Sequence, residues 1–229
     1  MAAEEQFVSV SSLLCEPARA KMLWNLLDGR AYTATELALV ADVSTTSASN
    51  HLMKLLEADI IKVEIQGRHR YYAFSRPEVA YTVESLANLA NSRNNEKIKK
   101  EDAVKGIRFC RSCYDHLAGV VGVRFTEALE MKGYLKKSID RQYLVSRKGW
   151  NWLSQIEILE SDFASNRRPL ARQCLDWTER KPHLAGQLGA TVLKVMFEKK
   201  WLRKTQFSRE LLVTPKGQQE LNALLGIRF

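Results

Sequence analysis

Residues 35–74 read TELALVADVSTTSASNHLMKLLEADIIKVEIQGRHRYYAF, and the changes of pattern along that stretch decide the fold. Thr33 to Val40 is predicted as a short helix. Thr33 or Thr35 is its N-cap, and Glu36 in the first turn can reach back to unpaired backbone N–H groups. Ala41-Asp42-Val43 is the turn, and Ser44 or Thr45 caps a second helix that runs to about Ala58. Leu52, Leu55 and Leu56 recur at i, i+3, i+4 and form its inward face. Thr45, Thr46, Ser47, Ser49, Asn50 and Lys54 fall mostly on the other side. A merely solvated face would carry Glu and Lys. Small hydroxyls and an amide suit close approach to phosphates and base edges.

The pattern then changes period. Ile60 to Ile65 alternates as a strand, Tyr71 to Phe74 returns as its partner, and Gln66-Gly67-Arg68-His69-Arg70 is the tip, with Gly67 making the turn. Alone, Arg68, His69 and Arg70 could be an ordinary solvated hairpin tip. After a helix with this polar face, they fit a wing touching phosphates or a minor groove. Helix, turn, helix and hairpin form the outline of a winged helix-turn-helix, which holds one helix in a DNA groove.

The flanks fit that device. Val10, Leu13 and Leu14, then Met22, Leu23, Leu26 and Leu27, recur at helical spacing. Glu16-Pro17 divides the run, Pro17 suiting the first turn of a helix over 17–27, and Asp28-Gly29-Arg30 stops it. The segment before Pro17 is then a separate short helix whose surplus apolar face could pack across a dimer interface. Beyond the hairpin, Val79, Val83, Leu86 and Leu89 set a last helix from Pro77 to Ala90.

With these elements in place, residues 8–93 resemble the ArsR/SmtB family of bacterial repressors. The resemblance is carried by Glu36-Leu37-Ala38, Ser49-Asn50-His51-Leu52, Leu55-Leu56-Glu57-Ala58 and the wing Gln66-Gly67-Arg68 with Tyr71-Tyr72. It implies a homodimer that binds an imperfect palindrome in promoter DNA and represses transcription. It also implies that the first and last helices of the region form the dimer interface and that His51 belongs to the recognition helix. The chain departs from the family where a metal would bind. Arsenic sensors of the family carry two cysteines just after Glu-Leu, where this chain has Ala38 and Val40. Zinc and nickel sensors carry ligands on the last helix, and residues 78–95 contain no histidine. Neither metal site transfers.

The 229 residues suffice for one large domain or two modest ones. An apolar fraction of 45% and a charged fraction of 27% are those of a soluble globular chain, and no run approaches the ~18 apolar residues of a membrane span. No membrane partner is expected. The start, MAAEEQFVSVSS, is acidic without an apolar core and does not read as an export signal. The four cysteines are therefore expected as reduced thiols in a cytoplasm. The net charge of +9 is uneven: residues 1–97 hold 10 Lys+Arg against 12 Asp+Glu, and residues 98–229 hold 25 against 14. A basic excess points to a polyanionic partner. Its concentration downstream leaves open a second DNA-contacting surface there.

After the polar stretch NSRNNEKIKKE at 91–101, the chain repeats itself. His116-Leu117-Ala118-Gly119 recurs as His183-Leu184-Ala185-Gly186, Gly122 matches Gly189, and Lys132 and Leu135 match Lys199 and Leu202. After a one-residue shift, Leu144-Val145-Ser146 and Lys148-Gly149 match Leu212-Val213-Thr214 and Lys216-Gly217. Cys113-x-Asp115 matches Cys174-x-Asp176, with six residues inserted before the second histidine. The shared order of landmarks marks an internal duplication. Each copy reads as a helix after HLAG, a short hairpin, and a Ser- or Thr-capped helix.

Cys110, Cys113 and His116, three residues apart, are metal-ligand types on one face if the segment is helical. Cys174 and His183 would complete such a set if the two copies face each other. Thiol redox sensing is another reading, but the recurrence of Cys113/Cys174 and His116/His183 in matching places favours simple packing, because a fold repeats its packing. Arg108, Arg111 and Arg172 lie near these cysteines, and positive charge favours a thiolate; Cys15 is a further candidate thiol. Trp150, Trp152, Trp177 and Trp201 either line an apolar pocket between the repeats or serve as core. Phosphate loops and dinucleotide fingerprints are missing, and nothing completes a triad with His51, so no catalytic residue, cofactor or resident metal is assigned.

The resulting expectation is a mainly α fold with small β-hairpins (α+β). A winged helix-turn-helix for DNA binding and dimerisation spans 1–93, a linker 94–101, and a domain of two winged-helix-like repeats 102–229, divided near residue 160. The partners are double-stranded DNA, a second copy of the chain, and a small-molecule effector or oxidant at the second domain. Alternatives are a metal-responsive regulator using Cys110, Cys113 and His116, and a winged-helix module that binds protein.

Overall fold

A computed structural model describes residues 2–91, 105–163, 168–206 and 208–229, and the expected linker at 94–101 lies outside them. The chain divides into two compact units, Met1–Leu89 and Ala90–Phe229. Among the described residues, no helix is long and apolar enough to cross a membrane.

In the first unit, helix α1 (Ala3–Cys15) ends at Glu16, whose carboxylate accepts a hydrogen bond from the Arg19 N–H at 2.8 Å and so caps α2 (Pro17–Leu26). Pro17 sits at the first helical position, where no N–H is needed. A two-residue strand β1 (Tyr32–Thr33), absent from the sequence reading, leads into α3 (Ala34–Ala41) and α4 (Thr45–Glu57). Strands β2 (Ile61–Gln66) and β3 (His69–Phe74) form the hairpin, and α5 (Pro77–Asn91) closes the unit. The sheet order is β1-β3-β2, all antiparallel, with Tyr32 opposite Tyr72 and Ile61 opposite Phe74. Met22, Leu23, Leu26, Leu37, Ala48, Leu52, Leu55 and Ile61 are buried between these elements.

The second unit repeats one order of elements. The first copy is β4 (Arg111–Cys113), β5 (His116–Ala118), α6 (Gly119–Met131), β6 (Leu135–Lys137), β7 (Tyr143–Val145) and α7 (Arg147–Gln155). The second is β8 (Arg172–Leu175), β9 (Pro182–Ala185), α8 (Gly186–Glu198), β10 (Leu202–Lys204), β11 (Leu211–Val213) and α9 (Pro215–Leu225). Each copy opens on a hairpin that the repeat pattern does not predict, and HLAG is the end of its second strand running into the helix. Gly119 and Gly186 make that junction at φ +77° and +87°. A Cβ there would lie 2.8 Å from the Arg108 carbonyl oxygen or 2.7 Å from that of Pro169, so only glycine serves.

The copies exchange contacts reciprocally. Arg111 of β4 bridges to Glu210 beside β11, and Arg172 of β8 bridges to Gln142 beside β7. The Leu211 N–H donates to the Cys110 carbonyl, and the Tyr143 N–H to that of Ala171, each at 2.9 Å. Leu117, Val121, Phe125 and Leu129 meet Leu184, Leu188, Val192 and Met196 in a single core. Trp152 and Trp201 are buried in that core, which gives these two rings a packing role.

Candidate functional site

The outward face of α4 is held by caps on both motif helices. Thr33 and Glu36 form a reciprocal capping box on α3. Asp42 takes the left-handed conformation at φ 58° that turns the chain, and the Ser44 hydroxyl accepts from the Ser47 N–H at 3.1 Å to start α4. Ala48, Leu52 and Leu55 are buried beneath. Thr45, Thr46, Ser49, Asn50 and Lys54 are exposed and Ser47 is half-buried. The Ser49 hydroxyl donates to the Thr45 carbonyl at 2.9 Å, so only its lone pairs face outward.

His51 departs from the expected groove-facing row. It is half-buried on the flank toward α2, with Nδ1 3.4 Å from the Glu16 carboxylate and 3.4 Å from the Arg19 guanidinium. The helical step from Asn50 turns it away from the outward stripe, and its ring is engaged with the scaffold.

The wing is tighter than the sequence suggested. Gln66 pairs with His69 and Ile65 with Arg70, which leaves Gly67 and Arg68 as a two-residue turn with Gly67 at φ +59°. Arg68, His69 and Arg70 are all exposed. Strand β1 pairs with β3 through Thr33 opposite Tyr71, so the residue that caps α3 also anchors the hairpin.

The candidate sensor residues separate into four that converge and one that does not. Cys113 and His116 are cross-strand partners in the β4–β5 hairpin, and Cys174 and His183 are cross-strand partners in β8–β9. The ligand atoms of these four residues all lie within 4.8 Å of one another. The sulfurs are 3.9 Å apart and the two Nε2 atoms 3.1 Å. His116, His183 and Cys113 are buried and Cys174 is partly so. The Nδ1 of His116 meets the Asp115 carboxylate at 3.2 Å, and that of His183 faces Asp176 at 3.7 Å. Burial opposes charge on His116, but the Cys113 sulfur and Asp115 outweigh it and raise its pKa to about 9.

Cys110 is the exception and a correction to the grouping Cys110, Cys113, His116. The segment is a turn and hairpin, not a helix, so a spacing of three does not bring Cys110 to the same side. It is fully buried outside the cluster, and burial pushes its thiol up to about 12, away from reactivity. Arg111 likewise does not activate a thiol. Its guanidinium pairs with Asp176 at 2.8 Å, both side chains fully buried, and lies 4.4 Å over the Trp177 ring. Asp176 also accepts from the N–H groups of Gly119, Thr178 and Glu179. Together these hold its carboxyl well below the usual carboxylate range against the penalty of burial. The sequence signal for this network was the recurrence of Arg111/Arg172 and Asp115/Asp176 in both copies.

No protein-family model matches the chain. Over 220 residues it is 39% identical to "Uncharacterized HTH-type transcriptional regulator YdfF" of Bacillus subtilis (strain 168), covering 96% of this chain and 97% of that protein. Among solved structures, the homodimeric winged helix-turn-helix domain of Mb0332 from Mycobacterium bovis is 22% identical, covering 38% of this chain and 80% of its own, with a TM-score of 0.35. Reduced HlyU from Vibrio cholerae is 23% identical, covering 38% and 90%, also with a TM-score of 0.35. The likeness to the B. subtilis protein extends over 96% of the chain, and by it this chain belongs to the helix-turn-helix transcriptional regulators.

Proposed function

We propose that the protein is a homodimeric repressor that places α4 in the major groove of a palindromic operator and sets its wing against the flanking backbone. One observation carries this reading. A helix closed on its inner face by Ala48, Leu52 and Leu55 presents Thr45, Thr46, Ser49, Asn50 and Lys54 outward, and the same unit presents Arg68, His69 and Arg70 on an anchored hairpin. Short hydroxyl and amide side chains let backbone and base edges approach. The wing cations supply affinity that is independent of sequence.

Dimerisation is assigned to α1 and α5. Helix α1 buries none of its residues, and Phe7 is 72% and Val8 59% exposed. Leu86 and Leu89 of α5 are also exposed, Leu89 at 70%. An apolar surface of this kind is stable in water when a second copy covers it. With Ala38 and Val40 in place of metal ligands inside the motif, regulation is assigned to the second unit. There a small molecule or thiol oxidant would bias the dimer between DNA-competent and incompetent geometries.

A selection of genomic fragments bound by the purified full chain tests the proposal. The expected product is an imperfect palindrome whose half-sites are centred about 10 base pairs, one helical turn, apart. Fragments enriched without a shared motif would overturn sequence-specific repression and leave the protein-binding module in its place.

A further inference from the structure

We propose that Cys113, His116, Cys174 and His183 form a tetrahedral Zn²⁺ site that clamps the two repeats of the second unit together. The site is separate from the DNA-binding reading and stands or falls without it.

The S···S and N···N separations, with all four ligand atoms within 4.8 Å of one another, carry the assignment. Zinc bonds of about 2.3 Å to sulfur and about 2.0–2.1 Å to nitrogen, at tetrahedral angles, require an S···S separation of about 3.8 Å and an N···N separation of about 3.3 Å. The protein presents 3.9 Å between the Cys113 and Cys174 sulfurs and 3.1 Å between the histidine Nε2 atoms. The imidazole centroids are 5.0 Å apart while their Nε2 atoms are 3.1 Å apart. The rings therefore splay from a common point, as two ligands of one ion do.

The chemistry agrees. The His116 Nδ1 meets the Asp115 carboxylate at 3.2 Å, and the His183 Nδ1 lies 3.7 Å from Asp176, near its charge but beyond hydrogen-bond reach. The Asp115 carboxylate favours the proton of His116 on Nδ1, which leaves its Nε2 to face the Nε2 of His183 at 3.1 Å. Two buried ring nitrogens so close need a shared proton or a cation between them, and a metal ion would take the place of that proton. Carboxylate–histidine–metal relays also orient imidazole ligands. Two thiolates and two imidazoles suit a borderline ion such as Zn²⁺, whereas Mg²⁺ and Ca²⁺ want oxygen donors. On binding, each cysteine releases its thiol proton to solvent. The two thiolates then balance the 2+ charge, so the buried site is neutral overall. A Cys113–Cys174 disulfide would use the sulfurs and leave the paired histidines without a purpose.

The topology gives the site its role. Each opening hairpin pairs one cysteine with one histidine across its strands, and these strands are three or four residues long. Hairpins so short have little stability alone. Four protein ligands leave no open position, which marks a structural centre.

The test uses the full chain purified with a thiol reductant. Native mass spectrometry is expected to find one Zn²⁺ per chain. Co²⁺ substitution is expected to give the visible bands of a tetrahedral ion and a thiolate charge-transfer band. Cys174→Ser and His183→Ala should abolish both signals with the circular dichroism spectrum retained, while Cys15→Ser should keep them. Asp115→Asn should weaken Zn²⁺ binding about 10–100-fold by releasing the His116 ring. Wild-type protein that takes up neither ion when reduced overturns the proposal, whether or not the variants fold. So does a cobalt spectrum unchanged by Cys174→Ser.

Discussion

Asn50 and Arg68 are exposed side chains of the same unit that would act on DNA in different ways. The Asn50 amide offers a donor and an acceptor that can pair with one base edge, whereas Arg68 offers a charge that any phosphate satisfies. Asn50→Ala is therefore expected to cost about 1–3 kcal/mol of discrimination, roughly 5- to 150-fold, between operator and mismatched DNA. Competition binding measures this, and non-specific affinity should stay unchanged. Much at this scale was legible beforehand, because a Ser/Thr/Asn face opposite a leucine face is visible in the letters. What the letters missed depends on packing. His51 lies one residue after Asn50 but turns toward Glu16 and Arg19. Cys110 shares its three-residue spacing with two cluster members yet is sealed in the core. The recurrence of Arg111/Arg172 and Asp115/Asp176 marked these positions, but that Arg111 pairs with Asp176, 65 positions on, shows only once the chain is folded.

Among the elements, one of each offered pair of caps holds, the short strands β7 and β11 fall where the repeat predicts, and β1 and the opening hairpin of each copy were missed. Thr33, Ser44, Ser146 and Thr214 each accept a backbone N–H at a helix start, as Ser/Thr before a periodic run predicts. Strands β1, β4, β5, β8 and β9, two to four residues long, are too short to show alternation, and the partner of β1 lies about 40 residues downstream in β3. HLAG was recognised as a landmark, but its reason is geometric: the glycine turns strand into helix where another carbonyl leaves no room for a side chain. Helices α1 and α5 carry the element-scale prediction. Phe7→Asp with Leu89→Asp places four carboxylates in the proposed dimer interface. Sedimentation should then show a shift from dimer to monomer at micromolar concentration, with the helix content of the unit retained. An unmoved dimer would transfer the interface to another surface.

At the scale of the molecule, the sequence showed a duplication and the structure shows what it builds. The two copies exchange strand contacts reciprocally, share one core and bring one Cys–His pair each to a common point. The sequence allowed that meeting only on condition that the copies face each other, because the spacing within one chain cannot fix the packing of a pair. The charge also divides by unit. The half that holds the reader is slightly acidic and the half that holds the duplication carries the basic excess, so the wing and α4 must act as a local patch. That is the central claim, and the salt dependence of operator binding tests it most directly. Each neutralised phosphate contributes about 0.9 to the slope of log K against log salt concentration. Arg68→Ala with Arg70→Ala removes four cations from the dimer. The predicted result is weaker binding to all sequences and a slope shallower by roughly 3–4. An unchanged slope would contradict the account, because the wing would then carry no phosphate contact.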